Sequence, residues 1–195
     1  MKVLVATKNR HKIREITDIL KGKAEVCSAF DELGIGDDIP ETGKSFEENA
    51  SLKALYISKM TDDYVIADDS GLEVRALNNR PGIYSARYAG ENSTDEANNE
   101  KLLIELKGIK DRKAKYVCAI ALAKKGEIVK IFRGELEGEI ALAPRGKNGF
   151  GYDPIFVIEN GKTAAEISPE EKNRISHRAK ALKLMEEYFV FGSVK

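Results

Sequence analysis

Two adjacent carboxylates, Asp68 and Asp69, end the apolar run 64–67 and precede Ser70 and Gly71. Aspartate is a poor strand residue, so the pair predicts a strand that ends at a polar opening, with Gly71 turning the backbone. Side chains alternate across a strand, so the two carboxylates should face different surroundings. One could hold a hard cation or a water molecule while the other braces the site or faces solvent. The alternative is a plain strand-to-turn junction, because these residue types also favour turns.

A second polar segment, residues 7–12, lies where a predicted strand gives way to a helix. A helix N-terminus presents unpaired N–H groups and a partial positive charge, which suit a phosphate. Thr7, Asn9 and Lys12 add a hydroxyl, an amide and an ammonium group. The alternative is that Thr7 or Asn9 only caps the helix and Lys12 is solvated. The glycines of a P-loop are absent, so binding of phosphate here would depend largely on side chains.

The segment 41–53 is rich in carboxylates and begins a helix at the capping box 45–48. The acidic residues of the first turn complement the helix dipole, but Glu41 lies before the cap and has no such role. Three polar residues share one face of this helix, which could line a site or simply be solvated: Ser45, Asn49 and Lys53.

The loop 148–154 places two aromatic side chains and Asp153 between flexible glycines and a stiff proline. It could form a platform on which a planar base stacks while the carboxylate accepts from a ring N–H. Lys172 and the run 176–178 add polar donors near a further capping box at 168–171. The spacing of the two histidines, at 11 and 177, gives no metal-ligand pattern and argues against zinc.

Apolar periodicity predicts the elements that must position these residues. Strands are expected at 2–6, 24–28, 64–67, 72–76 and 155–158, and 115–123 with 128–136 as a hairpin. Helices are expected after residue 9, over 45–60, from the capping box 93–96 and after 168; 31–43 is expected to be a loop. Residues 81–87 predict a rigid turn and a strand that could bring Ser85 and Arg87 to a cleft. The predicted fold class is α/β with a mixed sheet.

Composition limits the class of protein. The chain has 195 residues, which suits one large domain or a two-lobed domain around a cleft. Lysine plus arginine equals aspartate plus glutamate at 32 each, which argues against a dedicated binder of nucleic acid or of an anionic membrane. No apolar run is long enough to span a bilayer. Cys27 and Cys118 lie alone in apparent strands, as small buried residues do, so a reducing cytoplasm is the expected location.

In this order the segments resemble the inosine triphosphate pyrophosphatase family, the XTP/dITP diphosphatases that hydrolyse noncanonical purine nucleoside triphosphates. The resemblance covers essentially the whole chain. It is carried by six collinear motifs: Thr7-x-Asn9-x-x-Lys12; Glu41-Thr42-Gly43 with Ser45-Phe46-x-Glu48-Asn49-Ala50 and Lys53; Ala67-Asp68-Asp69-Ser70-Gly71-Leu72; Pro81-Gly82-Ile83-Tyr84-Ser85-Ala86-Arg87; Gly149-Phe150-Gly151-Tyr152-Asp153-Pro154; and Ser176-His177-Arg178. Lys8 and Asn148 stand where many members have glycine, and Lys8 could alter the shape of the triphosphate-binding turn.

The resemblance implies an elongated mixed sheet flanked by helices, two lobes around a nucleotide-binding cleft, one domain over 1–195, and a homodimer. It implies Mg²⁺-dependent hydrolysis of ITP, dITP and XTP to the monophosphate and pyrophosphate, which cleanses the nucleotide pool. Glu41 and Asp69 would bind the metal, and Asp69 would also accept a proton. The other residues implied at the substrate are Thr7, Lys8, Asn9, Arg10, His11, Lys12, Ser70, Phe150, Gly151, Tyr152, Asp153, Lys172, His177 and Arg178. Lys12, Lys53 and Lys172 are candidates to neutralise phosphate charge, and Asp68 is expected only to support the site.

Base selection follows from hydrogen bonding. Hypoxanthine and xanthine present a 6-oxo acceptor and an N1–H donor, whereas adenine reverses both. Donors at His177 and Arg178 with an acceptor at Asp153 would therefore discriminate against ATP. Two other interpretations stay open on the sequence: a nucleotide-binding regulator without hydrolysis, and a pyrophosphatase for other modified nucleotides such as pyrimidines.

Overall fold

Seven strands form one mixed sheet in the computed structural model, which describes residues 2–192. The strands are β1 Lys2–Val5, β2 Glu25–Ser28, β3 Tyr64–Val74, β4 Arg80–Pro81, β5 Lys113–Lys124, β6 Glu127–Ile140 and β7 Phe156–Val157. The helices are α1 Arg10–Ile19, α2 Ala29–Leu33, α3 Phe46–Ser58, α4 Asp95–Glu105, α5 Pro169–Ile175 and α6 His177–Gly192. The strand order is β2-β1-β3-β5-β6-β7, with β4 paired to β3. β1 is parallel to β2 and β3, whereas β4 and β7 pair antiparallel, which confirms the α/β class with a mixed sheet.

The chain divides into two compact units, and the division falls inside three of the long strands. The first unit comprises the described residues of Met1–Asp69, Cys118–Gly134 and His177–Lys195. The second comprises Ser70–Val117 and Glu135–Ser176. Each unit has its own apolar core. The core of the first unit is formed around Val3, Val5, Ile16, Leu20, Ile66, Ile120, Leu122, Phe132, Leu182 and Met185. The core of the second is formed around Leu72, Val74, Leu102, Leu106, Tyr116, Ile140, Ile155, Phe156 and Ile167.

The predicted hairpin is confirmed. β5 and β6 are joined by Lys125 and Gly126, whose φ angles are 52° and 79°. Two consecutive residues with positive φ form the type of two-residue turn whose twist matches antiparallel strands. The capping prediction for α4 is displaced by one residue, because Thr94 rather than Ser93 is its N-cap.

The predicted turn at Gly71 is wrong, because β3 continues without interruption to Val74. Eight of its 11 residues are buried, so the strand runs through the interior and its two aspartates meet protein groups there rather than bulk water. The predicted strand within 81–87 is also wrong. Gly82–Arg87 is a 3₁₀ helix whose Ser85 hydroxyl donates to the Gly82 carbonyl at 2.6 Å.

Two smaller differences concern chain segments next to predicted elements. α2 lies partly inside the expected loop 31–43, because the Ser28 hydroxyl caps it by accepting from Asp31 N. The expected strand 155–158 is shorter, since a 3₁₀ helix Asp153–Ile155 precedes β7. Within residues 2–192, no helix combines the length and apolarity needed to cross a membrane.

Candidate active site

Asp68 anchors a buried ionic network in the first unit. Its Oδ2 accepts hydrogen bonds from Arg178 Nε at 2.8 Å and from the Cys118 thiol at 3.0 Å. Its Oδ1 lies 2.5 Å from Lys12 Nζ, and Arg178 also pairs with Glu15. Burial opposes ionisation, but the charges of Arg178 and Lys12 outweigh it and hold the pKa of Asp68 well below its usual range. Asp68 is therefore an ionised group with a structural role.

Asp69 faces a different set of partners, as strand alternation predicts. Its Oδ1 lies 3.4 Å from Lys53 Nζ, and its Oδ2 accepts from Asn49 Nδ2 at 3.2 Å. Lys53 Nζ also contacts Glu41 Oε1 at 2.6 Å and donates to the Asp68 carbonyl at 2.9 Å. Burial raises the pKa of Asp69 above its ordinary value, and the opposing charge of Lys53 does not cancel this effect. A carboxylate with a raised pKa is suited to accept a proton.

The N-terminus of α3 holds the loop that carries Glu41. Ser45 is the N-cap, and its hydroxyl accepts from Glu48 N at 3.1 Å, as the capping box predicts. Gly43 N donates to Asn49 Oδ1 at 2.8 Å. A Cβ on Gly43 would lie 2.7 Å from that same oxygen, which is closer than real Cβ atoms approach. Only glycine therefore allows the loop to approach the helix so closely.

The helix face of Asn49 and Lys53 is not solvated. Asn49 is fully buried and Lys53 is 8% exposed, so this alternative interpretation of the sequence is wrong. The ammonium group of Lys53 keeps its charge in spite of burial: desolvation lowers the pKa of Lys53, but the carboxylates of Asp69 and Glu41 more than compensate. The face therefore presents a buried cation to two carboxylates.

These two carboxylates, Glu41 and Asp69, fit a magnesium site. Mg²⁺ is usually bound by one or two protein carboxylates, with water and substrate phosphates completing an octahedral shell. Both residues already contact one cation, the ammonium of Lys53, so they can share a positive charge. No group of three or more His, Cys, Asp or Glu within the described residues could hold a metal. Two carboxylates fill only part of the shell that Mg²⁺ requires, so this donor set suits an ion that is shared with a ligand.

Asn9 caps α1, which one interpretation of the sequence predicts. Its Oδ1 accepts from the backbone N–H groups of His11 at 2.9 Å and Lys12 at 3.2 Å. The Thr7 hydroxyl in turn accepts from Asn9 N at 3.2 Å. The expectation that Lys12 would then be solvated is wrong, because Lys12 pairs with the buried Asp68. A phosphate at this helix end would depend mainly on side chains, since the cap uses two of the N–H groups.

Lys8 and Arg10 point to α2 and the loop that follows it. Lys8 Nζ donates to the Gly36 carbonyl at 2.6 Å and lies 2.8 Å from Asp38 Oδ1. Arg10 pairs with Asp31 at 3.0 Å. All four side chains of these two ion pairs are exposed. A contact of Lys8 or Arg10 with substrate stays a prediction.

Asp153 is the centre of a second cluster, in the second unit. Its Oδ2 lies 2.5 Å from Lys172 Nζ and accepts from Phe150 N at 3.0 Å, while its Oδ1 accepts from the Tyr116 hydroxyl at 3.1 Å. Lys172 Nζ also lies 4.7 Å from the centre of the Phe150 ring. Gly149 has φ +75°, and a Cβ there would lie 2.0 Å from Asp153 Oδ2. The loop therefore holds an aromatic ring beside a carboxylate, as predicted, and Lys172 contacts both of them.

Tyr152 and Gly151 are held by structural contacts in the same unit. The Tyr152 hydroxyl donates to the Ser85 carbonyl at 2.8 Å, and burial raises the pKa of Tyr152. Gly151 N donates to Asp95 Oδ2 at 2.6 Å, and its carbonyl accepts from Asn99 Nδ2 at 3.0 Å. These contacts fix the backbone of the loop that carries Phe150 and Asp153.

The remaining predicted residues are distributed between the units. Ser70 follows Asp69 in β3 and is partly buried, whereas His177 and Arg178 are buried at the start of α6. Sequence reasoning missed three contacts, made by Glu15, Cys118 and Tyr116. A buried Cys118 is predicted, but its bond to Asp68 joins residues 50 positions apart and leaves no local signal.

Comparisons with known proteins identify the family. A model of the Ham1 family matches residues 3–188. A Thermoanaerobacter sp. (strain X514) protein named dITP/XTP pyrophosphatase is 49% identical over 193 residues, 97% of each chain. A Bacillus subtilis (strain 168) protein of the same name is 50% identical over 183 residues, 92% of each. The solved structure of the Staphylococcus aureus Ham1 protein has a TM-score of 0.88 at 47% identity, covering 99% of this chain and 100% of that one. These matches confirm the resemblance carried by the six motifs, and the chain belongs to the Ham1 family.

Proposed function

We propose that the protein hydrolyses noncanonical purine nucleoside triphosphates, namely ITP, dITP and XTP, to the monophosphate and pyrophosphate. The relatives named dITP/XTP pyrophosphatase support this activity, since they are about half identical over nearly the whole chain. The observation that carries the proposal is the convergence of Glu41 and Asp69 on Lys53, with Asp69 buried. A site for a triphosphate with a divalent cation needs such an arrangement of carboxylates and ammonium groups.

In the proposed reaction a water molecule attacks the α-phosphorus, and the bond from this phosphorus to the bridging oxygen breaks to release pyrophosphate. Asp69 takes the proton of the attacking water, which is a role that a positioned carboxylate can fill. Glu41 and Asp69 would hold Mg²⁺, which would stabilise the charge on the phosphates. Lys12 and Lys53 neutralise phosphate charge from the protein side.

Base recognition is assigned to the second cluster. Phe150 provides an aromatic face, and Asp153 provides an acceptor for the N1–H group of hypoxanthine or xanthine. Lys172 orients that carboxylate through the 2.5 Å contact. A mismatch with the reversed donor and acceptor of adenine leaves buried groups unpaired, which can discriminate by roughly 10⁴–10⁵-fold. Substrate contacts are also proposed for the Ser70 hydroxyl and for residues 151 and 152 of the loop.

His177 and Arg178 are proposed to recognise the 6-oxo group. The guanidinium of Arg178 already donates to Asp68 and pairs with Glu15. A direct contact between this guanidinium and a nucleotide would therefore have to replace Asp68 or Glu15. Without such a contact, Arg178 would act by holding neighbouring groups in place. Along the segment 7–12, Thr7, Asn9 and Lys12 are proposed as the main phosphate ligands, with Lys8, Arg10 and His11 beside them.

Three further properties belong to the proposal: a single functional domain over 1–195, a homodimer, and a cytoplasmic location. Residues 1 and 193–195 of that domain lie outside the described residues. Analytical ultracentrifugation measures the oligomeric state, and a sedimentation mass near that of one chain would exclude the homodimer.

The decisive experiment is a pyrophosphate-release assay with ITP, dITP, XTP, ATP and GTP in the presence of Mg²⁺. We expect fast release from the first three and far slower release from ATP and GTP. Asp69→Asn should lower kcat by about 10²–10⁴-fold while nucleotide binding, measured by calorimetry, is largely kept. Comparable rates with all five nucleotides would exclude the specificity, and binding without pyrophosphate release would favour a regulator. A panel of modified pyrimidine triphosphates tests the remaining substrate class.

A further inference from the structure

A single buried amide, that of Asn49, joins the two carboxylate-bearing segments of the first unit. We propose that Asn49 is a positioning residue that fixes Glu41 and Asp69 relative to each other. The inference rests on the proposed function, because it takes these two carboxylates as the ligands of the metal. Asn49 itself contacts neither the metal nor the substrate in this scheme.

The orientation of the Asn49 amide follows from its partners. Its Oδ1 accepts from Gly43 N at 2.8 Å, and its Nδ2 donates to Asp69 Oδ2 at 3.2 Å. A backbone N–H can only donate and an ionised carboxylate can only accept, so a flipped amide would lose both bonds. The amide is fully buried, and the two partners therefore determine a single arrangement.

This bridge constrains both carboxylates. Gly43 lies two residues after Glu41, so its bond to Asn49 ties the loop of Glu41 to α3. The bond from the other end of the amide occupies Asp69 Oδ2, and Oδ1 is thereby turned to the side where Lys53 contacts Glu41. The amide thus selects which oxygen of Asp69 is presented together with Glu41.

Gly43 is the partner at the other end of the same bridge, so a substitution there tests the bridge independently. A Cβ at this position would lie 2.7 Å from Asn49 Oδ1 and 2.9 Å from Asn49 N, so the loop must move away in Gly43→Ala. Loss of the Gly43 N–H bond is then common to Gly43→Ala and Asn49→Leu. Leucine has the same branched outline as asparagine, with two larger methyl groups in place of the amide atoms; it suits a buried helix position but makes neither hydrogen bond.

The test measures metal binding directly. Mn²⁺ is titrated into the protein and followed by the electron paramagnetic resonance signal of the free ion, with and without the α,β-methylene analogue of ITP. Residues that orient metal ligands typically contribute 10–100-fold to affinity or activity. We expect Asn49→Leu to weaken Mn²⁺ binding by about 10–100-fold and to lower kcat for ITP similarly, with KM changed by less than about threefold. Gly43→Ala should change the same quantities in the same direction.

A double-mutant cycle separates the bridge from two independent effects. Because both changes break one bridge, the variant that combines Gly43→Ala with Asn49→Leu should bind Mn²⁺ about as weakly as Asn49→Leu alone. Asn98→Leu is the matched control: Asn98 is 2% exposed and bridges the Ala89 N–H group and the Ala86 carbonyl in the second unit. It should lose stability in urea but keep wild-type Mn²⁺ affinity.

Wild-type Mn²⁺ affinity and kcat in folded Asn49→Leu would overturn the inference, and so would additive effects of the two changes. If Asn49→Leu does not fold, Gly43→Ala alone decides by the same titration. Mn²⁺ binding by the wild type without pyrophosphate release from ITP would refute the proposed function but leave the bridge testable. Absence of Mn²⁺ binding by the wild type, with and without the analogue, would refute the assignment of both ligands and this inference with it.

Discussion

Asp68→Asn removes one charge from the buried network of the first unit while keeping the shape of the side chain. Asp68 and Arg178 are each 1% exposed, and Lys12 completes the group on the other carboxylate oxygen. The amide can still accept from one donor, but its NH₂ group then faces cationic nitrogens. The substitution therefore leaves Arg178 and Lys12 with one carboxylate fewer.

The magnitude follows from the partners that remain. Removing one member of a buried ion pair typically costs about 3–5 kcal/mol. Arg178 keeps Glu15, and the side chain of Lys12 is 14% exposed, so some of the charge can be solvated. We therefore expect Asp68→Asn to lower the free energy of unfolding by about 3 kcal/mol, the lower end of that range. For a chain of this size, this loss lowers the unfolding temperature by roughly 6–12 °C.

The pH dependence has a definite sign. The pKa of Asp68 in the folded state is lowered from the ordinary value of 3.8, so its contribution is fully present above that value. It is lost as the pH falls through the folded pKa. The difference in unfolding free energy between the wild type and Asp68→Asn should therefore be constant near neutrality and shrink progressively below about pH 4.

Urea unfolding followed by circular dichroism at pH 7 and at steps down to pH 3 measures this difference. The matched control is Asp38→Asn, since Asp38 pairs with Lys8 at 2.8 Å but its side chain is 89% exposed. This change should cost less than about 1 kcal/mol. The reasoning is refuted if both substitutions have the same small effect at pH 7, or if the effect of Asp68→Asn grows as the solution is acidified.

Three further predictions concern the second cluster and the metal. Gly149→Ala should lower the free energy of unfolding in urea by about 1–3 kcal/mol, because φ is +75° and the new Cβ meets Asp153. It should also weaken discrimination between ITP and ATP. Unchanged stability would contradict the close approach of Gly149 to Asp153. Lys172→Met should raise KM for ITP more than it lowers kcat, as initial rates measure, since Lys172 orients Asp153 and not the reacting phosphorus; a loss confined to kcat would contradict this. EDTA should abolish pyrophosphate release while the circular dichroism spectrum is unchanged, and Mg²⁺ should restore it; full activity after EDTA treatment would exclude the metal.

Local sequence signals predicted the elements whose causes are local. The Ser45 and Ser168 caps are confirmed, because each hydroxyl accepts from a backbone N–H three residues on. The hairpin is confirmed as well, because its turn depends only on the backbone conformation of Lys125 and Gly126. The strand expected within 81–87 is wrong because the Ser85 hydroxyl bonds to both the Gly82 carbonyl and Leu72 N, and the second of these partners is 13 residues away.

The candidate site was predictable in its residue types but not in its pairings. Residue propensities predict that a strand ends at two adjacent aspartates, because aspartate is rare inside strands. They cannot include the guanidinium of Arg178, which lies 110 residues from Asp68 in the sequence and bonds to it in the fold. Arg178, together with Lys12, makes a buried Asp68 tolerable, and β3 can therefore continue. The alternative that Asn49 lies on a solvated helix face is wrong for a similar reason. Its partners Gly43 and Asp69 belong to other segments of the chain, which only the fold brings to it.

The two neighbouring aspartates of β3 have pKa shifts of opposite direction, because they meet different cations. Both are buried, so desolvation alone would raise both pKa values. Asp68 meets two cations at 2.8 Å or less, and its pKa falls. Asp69 meets one ammonium at 3.4 Å, which is already shared with Glu41, and its pKa rises. Asp68 is thus a poor base that two cations hold in its ionised form, so the proposed proton acceptor is Asp69.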